Sequence, residues 1–321
     1  MCFTLVGDDR EGVPHRMTTA HLFLAVALAA AWGFNFVVIT AGLDHFPPLL
    51  FNALRFFVAA VPAIFFLRHP GVPWRWVALV ALTLGVLKFS LLFFGMAEGM
   101  PPGLSSLVLQ SQALFTAILA TTLLGERLGG RQKLGLLVAF VGVGLIALDL
   151  GATAPLTAFA LAIGAAAMWG VSNVIIRKAA PPDNLRFMVW VGALAVLPLT
   201  TLSLIVDGPR ADWEALRTVP WSAVAAVLYV GLVATVLGFG TWGYLIRTYS
   251  ASTVAPFSLL VPVFGMGSAW LFVDESVSLP RILAGLLIVG GVLVGVIGVR
   301  RPERITGTPT QGDVGEPTPV R

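Results

Sequence analysis

Lys88 sits inside a run that is otherwise apolar or weakly polar, Val80-Ala81-Leu82-Thr83-Leu84-Gly85-Val86-Leu87-Lys88-Phe89-Ser90. A charge placed there is expensive in a bilayer and marks a functional group by default. It can attract a carboxylate, or shed its proton and serve as a proton carrier. Arg55, in Leu54-Arg55-Phe56, is the second cation within an apolar run. No Asp or Glu falls in the core of any run; Asp44 and Glu98 stand at run ends. Two cations without an embedded counter-charge suggest an anionic or zwitterionic ligand. The structural alternative for Arg55 is binding to helix-end carbonyls, or charge pairing with Glu98 or Asp44.

Polar and aromatic groups recur at helical spacing. Trp32 and Asn35 are three apart, Trp169 and Asn173 four apart, so each pair shares a helix face. Ser106 and Gln110 share another face, with Gln112 nearby. Ser258 is followed by Pro262, which removes a rung from the backbone ladder. Trp242 and Tyr244 are candidates for gating in a further segment. Any one of these could simply bond neighbouring helices. As a set on segments that repeat, they are better suited to lining a cavity.

The segments that carry them are hydrophobic and numerous. The chain has 321 residues, 57% hydrophobic and 11% charged, far below the ~25% charge of a soluble domain. Ten apolar spans are predicted near 20–42, 48–67, 74–97, 102–124, 133–150, 156–176, 185–206, 220–246, 252–273 and 280–299. The runs are continuous rather than alternating, which excludes a β-barrel. At 1.5 Å per residue, Lys88 lies roughly 18 Å from one membrane face and Arg55 roughly 10 Å from the other. Both therefore fall in the same half of the bilayer.

The spans form two sets of five. Three alanines before Trp32-Gly33 return in Ala165-Ala166-Ala167-Met168-Trp169-Gly170, and Leu124-Gly125-Glu126 is echoed by Val273-Asp274-Glu275. Five is odd, so the second set must be inverted relative to the first, the plan of many secondary transporters. The expected organisation is a tail (1–19), one repeat (20–151), an inverted repeat (152–299) and a disordered tail (300–321). With both termini inside, 15 of the 20 Lys and Arg fall on the inner side and 3 on the outer. That places both termini in the cytoplasm. Met17 is a second candidate start.

Enzymatic signatures are missing. The histidines at 15, 21, 45 and 69 are not spaced for a metal, Cys2 is the single cysteine, and no phosphate-binding glycine loop occurs. No cofactor and no nucleic-acid partner is expected; the partners are a small molecule and the lipid bilayer. Glycines at 135, 142, 291 and 295 permit close helix approach in spans 5 and 10, for internal packing or for a homodimer.

Several stretches resemble the EamA family of the drug/metabolite transporter superfamily. They are Trp32 to Ile39, Pro47-Pro48-Leu49, Leu54-Arg55-Phe56, Pro62 to Phe66, Ser105 to Ala113, Leu124-Gly125-Glu126-Arg127 and Ala255 to Val263. The resemblance runs from about residue 20 to residue 299. It implies a ten-helix inner-membrane exporter of an amino acid or derivative of the O-acetylserine or cysteine kind, working by alternating access. It also implies a central cavity lined by helices 1, 3, 4, 6, 8 and 9, with 5 and 10 aside. Lys88 departs from the pattern, where an uncharged polar residue is expected, so a more acidic substrate or a different coupling is expected. A multidrug exporter of cations is the rival within transport, and it needs an embedded carboxylate that this chain does not have. A non-transporting accessory or signalling protein is the rival outside it.

Overall fold

The structure is a computed structural model that describes residues 17–125, 128–149, 154–249 and 251–297. The expected tails before residue 17 and after residue 297, and the Glu126-Arg127 pair, lie outside the described residues. The described residues form helices without strands. The ten long ones are α1 (Thr19–Leu43), α2 (Pro48–Ile64), α3 (Trp74–Ala97), α4 (Pro102–Leu124), α5 (Gly130–Asp149), α6 (Leu156–Ala179), α7 (Asn184–Val206), α8 (Trp221–Tyr249), α9 (Ala255–Val273) and α10 (Leu279–Ile297).

Local chemistry sets their ends. Thr18 caps α1 by accepting from the His21 N–H, and Asp183 caps α7 by accepting from Arg186 N. Pro48 and Pro102 open α2 and α4 in the first turn, where a missing N–H leaves nothing unpaired. Pro62 lies near the end of α2, which stops at Ile64 rather than running to residue 67 as expected. Gly125 and Asp274 end α4 and α9 in the left-handed conformation, with φ of 68° and 52°. The echo between Leu124-Gly125-Glu126 and Val273-Asp274-Glu275 is thus a repeated helix stop.

The two halves repeat in detail. α3 is interrupted by a π-helical stretch, Ala81–Lys88, and α8 by its counterpart, Tyr229–Leu237. α4 tightens to a 3-10 turn at Leu109–Ser111, and α9 does so at Ala255–Leu260, just before Pro262. Packing follows the same symmetry. α1 crosses α9 as α6 crosses α4, α3 lies on α6 as α8 lies on α1, and α2 pairs with α7 as α5 pairs with α10. The odd-numbered repeat is realised as a ten-helix membrane fold.

The α5–α10 pair decides how its glycines are used. A Cβ on Gly135 would run into the carbonyl oxygen of Gly291, and one on Gly291 would lie 2.5 Å from the oxygen of Gly135. This seam joins helices of one chain, so it is closed to a second copy. The homodimer expectation loses the feature it rested on.

One element was not anticipated. Pro209–Arg217, expected as loop, is a short amphipathic helix with Trp213 largely exposed. His45 reaches it through Nε2, 2.8 Å from the Ala215 oxygen, and Ser203 on α7 donates to Asp212 at 2.9 Å. A nine-residue helix is too short to span a bilayer, and an amphipathic one with an exposed Trp213 suits the interface.

Glu275, in the loop after α9, caps a different helix. Its carboxylate accepts from Gly103 N at 2.7 Å and Leu104 N at 3.2 Å, the orphan donors at the start of α4. Arg281 flanks it at 3.7 Å and also reaches Asp149 at 3.3 Å. Burial pushes the Glu275 carboxyl above its ordinary 4.5, outweighing the lowering pull of the Gly103 N–H, Arg281 and the Leu104 N–H. The raised value means that the folded protein holds its proton more tightly than the unfolded chain. Stability should therefore be fullest below pH 4.5 and fall as pH rises through the folded value. Thermal melts of the purified protein should show that slope in the wild type and lose it in Glu275→Gln. Glu275→Ala should cost about 2 kcal/mol at neutral pH, by orphaning two donors.

Candidate functional site

A cavity of about 110 Å³, partly open to solvent, lies between the two halves. Every long helix except α5 and α10 contributes to its wall. The contributions of α2 (Arg55) and α7 (Asn184, Met188) go beyond the six helices the family resemblance implies. Of the sequence-selected residues, Trp32, Asn35, Arg55, Lys88, Ser106, Gln110, Trp169, Asn173, Trp242 and Ser258 meet here.

Lys88 closes the π-helical stretch of α3 and is 4% exposed; Arg55 on α2 is 2% exposed. Both basic side chains rest on one ring. Lys88 Nζ lies 3.4 Å from the Phe89 centroid and Arg55 Cζ lies 3.5 Å from it. Trp169 adds a second face 4.6 Å from Nζ, and Phe56 stands 4.3 Å from the guanidinium. Arg55 Nε and Nη2 are buried without a hydrogen-bond partner. Neither Glu98 nor Asp44 pairs with Arg55, which corrects that expectation. Glu98 is exposed at the end of α3, ten residues and about 15 Å along the helix from Lys88.

Magnitudes show what this arrangement requires. Each ring contact returns ~2 kcal/mol to a desolvated cation. Burial costs several kcal/mol per ion even after relaxation. Through the shared ring the charges are at most about 7 Å apart, a repulsion of ~2 kcal/mol or more at an effective dielectric of 20. The aromatic faces offset much of the burial cost but do not remove the like-charge repulsion. An anion in the cavity would.

The amides that line the cavity also tie the helices together. Asn173 donates to Gln112 Oε1 at 2.8 Å and Thr116 Oγ1 at 3.0 Å, tying α6 to α4. Its own Oδ1 is buried without a donor, and so is Oδ1 of Asn35. Gln110 donates to the Ser258 carbonyl at 3.4 Å, joining the two 3-10 turns across the cavity wall. Helix glue and cavity lining are therefore the same residues.

Trp32 donates from Nε1 to the Ala234 carbonyl at 2.9 Å, inside the π-helical stretch of α8. Its ring lies tilted by 51° against Trp242, centroids 5.5 Å apart, and the Trp242 Nε1 is buried without an acceptor. Gln112 lies off the main cavity, in a small recess behind Gln110 and Ser258. Tyr244 does not line the cavity; it is partly exposed and meets His21 Nε2 at 3.2 Å, where α8 meets the start of α1. Pro262 shapes α9 from within the first turn after the 3-10 stretch.

Thr235 and Phe239 also line the cavity and were not selected from the sequence. Their spacing to Trp242, four and then three residues, is one helix face and carried the signal. The π-helical widening did not show in the sequence, since Thr235 satisfies it by donating to the Val230 carbonyl five residues back.

Comparison with known proteins places these features in a family. A model of the EamA-like transporter family matches twice, over residues 19–148 and 156–297. A protein of Salmonella typhimurium named "Probable amino-acid metabolite efflux pump" is 39% identical over 89% of this chain and 98% of its own length. One of the same name from Escherichia coli is 38% identical over 86% and 95%. A "Probable terminal-alkyne amino-acid exporter" of Streptantibioticus cattleyicolor is 27% identical over 88% and 92%. A chain of known crystal structure superposes with a TM-score of 0.60 at 22% identity, over 88% of this chain and 99% of that one, a likeness of fold alone. Two matches of one model, meeting near residue 150 where the helical pattern restarts, place this chain in the EamA-like transporter family, as a membrane transporter and not an enzyme.

Proposed function

We propose that the protein exports an amino acid or a close derivative across the cytoplasmic membrane, with both termini in the cytoplasm. The observation that carries this is the pair of buried cations, which share one ring in a cavity whose described lining holds no carboxylate. Lys88 attracts the substrate carboxylate. Asn35, Asn173, Gln110 and Ser258 supply hydrogen bonds, and Trp32 and Trp169 form opposite walls. The repeats 20–151 and 152–299 rock against each other about this midplane site. The names of the relatives from Salmonella typhimurium, Escherichia coli and Streptantibioticus cattleyicolor support an amino-acid cargo. The same cations oppose a cationic drug.

Proteoliposomes loaded with labelled amino acids, O-acetylserine and cysteine among them, should lose label down its gradient at a rate set by the amount of protein. Absence of flux for every amino acid, together with a co-purifying partner, would overturn the proposal in favour of an accessory role.

A further inference from the structure

We infer that the preferred cargo is an acidic α-amino acid, with two carboxylates and one ammonium, rather than a neutral one. This rests on the exporter reading above and deepens it. A neutral amino acid brings one carboxylate to two buried cations. It satisfies Lys88 or Arg55 and leaves the other as it was. Lys88 Nζ and Arg55 Cζ are 3.4 and 3.5 Å from the same Phe89 centroid. The two charges are therefore at most about 7 Å apart, within reach of two carboxylates separated by two or three carbons. Two of the Arg55 nitrogens are buried without acceptors, so a planar, two-oxygen group fits the geometry of the guanidinium fork.

The ammonium has a place of a different kind. The described cavity wall holds no carboxylate for it, and it must avoid both cations. The two buried amide oxygens without donors, Asn35 Oδ1 and Asn173 Oδ1, are acceptors of matching sign. Asn173 follows Trp169 by one turn on α6, and the Trp169 ring faces Lys88. The amide oxygen is thus on the helix that faces the cation pair. Two positive groups and neutral acceptors together complement a net charge of −1.

Charge alone separates glutamate from glutamine, so that pair is the probe. In proteoliposomes the wild type should move glutamate at least tenfold faster than glutamine. Arg55→Gln should collapse that ratio, and Arg55→Lys should largely retain it. Melting temperatures of both variants establish that each is folded. 2-Oxoglutarate keeps both carboxylates and lacks the ammonium, so it should compete at least tenfold less well than glutamate. Glutamine or O-acetylserine moving while glutamate does not overturns the acidic-cargo inference and leaves the exporter reading standing. No movement of any of them overturns the exporter reading itself. Equal competition by 2-oxoglutarate overturns the role given to the amide oxygens.

Discussion

Lys88→Met is expected to reduce amino-acid efflux at least hundredfold while raising the melting temperature of the empty protein by a few degrees. The two effects have one origin. Lys88 is a cation in a buried wall, with Phe89 and Trp169 as its aromatic contacts and Arg55 as a like-charged neighbour. Met keeps a stem of similar length and its sulfur retains favourable contact with both rings. What it removes is the desolvated charge and its repulsion with Arg55, and exchanging buried charge for apolar volume is often stabilising by ~1–4 kcal/mol. The same change deprives a substrate carboxylate of a charge-assisted partner. At ~3 kcal/mol for such a bond in a site sheltered from water, the loss is about a hundredfold. A variant that merely damages the fold would lose flux and melt lower. Flux near wild type, or a lowered melting temperature, would remove Lys88 from the site.

Sequence and structure agree where a single physical rule dominates. Continuous apolar runs with no room for unsatisfied backbone can only be helices, so all ten spans were legible, with ends displaced by a few residues. Lys88, Arg55 and the Trp-Gly repeat stood out because bilayer burial makes charge, amides and indoles conspicuous. The amphipathic Pro209–Arg217 was not legible, being too short to show a clear period. The π-helical stretches were invisible because a widened turn leaves hydropathy unchanged. The shared Phe89 ring depends on a crossing of α2 with α3 that no local pattern fixes. Tyr244 was selected as a polar aromatic within an apolar run. It stands at the membrane end of α8, where a partly exposed hydroxyl is held by His21.

The Trp-Gly repeat carries the last expectation. Gly33→Ala and Gly170→Ala should each destabilise the protein by about 1–2 kcal/mol, and the corresponding Leu variants should not fold. A Cβ on Gly33 would lie 2.5 Å from Phe264 Cβ and 2.7 Å from Gly265 N; one on Gly170 would lie 2.7 Å from Phe115 Cβ and 2.9 Å from Thr116 N. In each case part of the obstruction is backbone, so no rotamer change relieves it and the helices must separate. Overpacking of this kind costs ~1–3 kcal/mol, partly offset by the ~1 kcal/mol that alanine gains over glycine within a helix. Leucine adds three further carbons at the same point. Gly144 on α5, with open space where a Cβ would go, is the internal control: Gly144→Ala should leave the melting temperature level or slightly raised. If Gly33→Ala and Gly170→Ala are as mild as that control, the crossings are not set by these glycines. If both fail alike, the repeated glycine is what lets α1 approach α9, and α6 approach α4. Trp32 and Trp169, each one residue before its glycine, are then held against the cavity by the same contact in both halves.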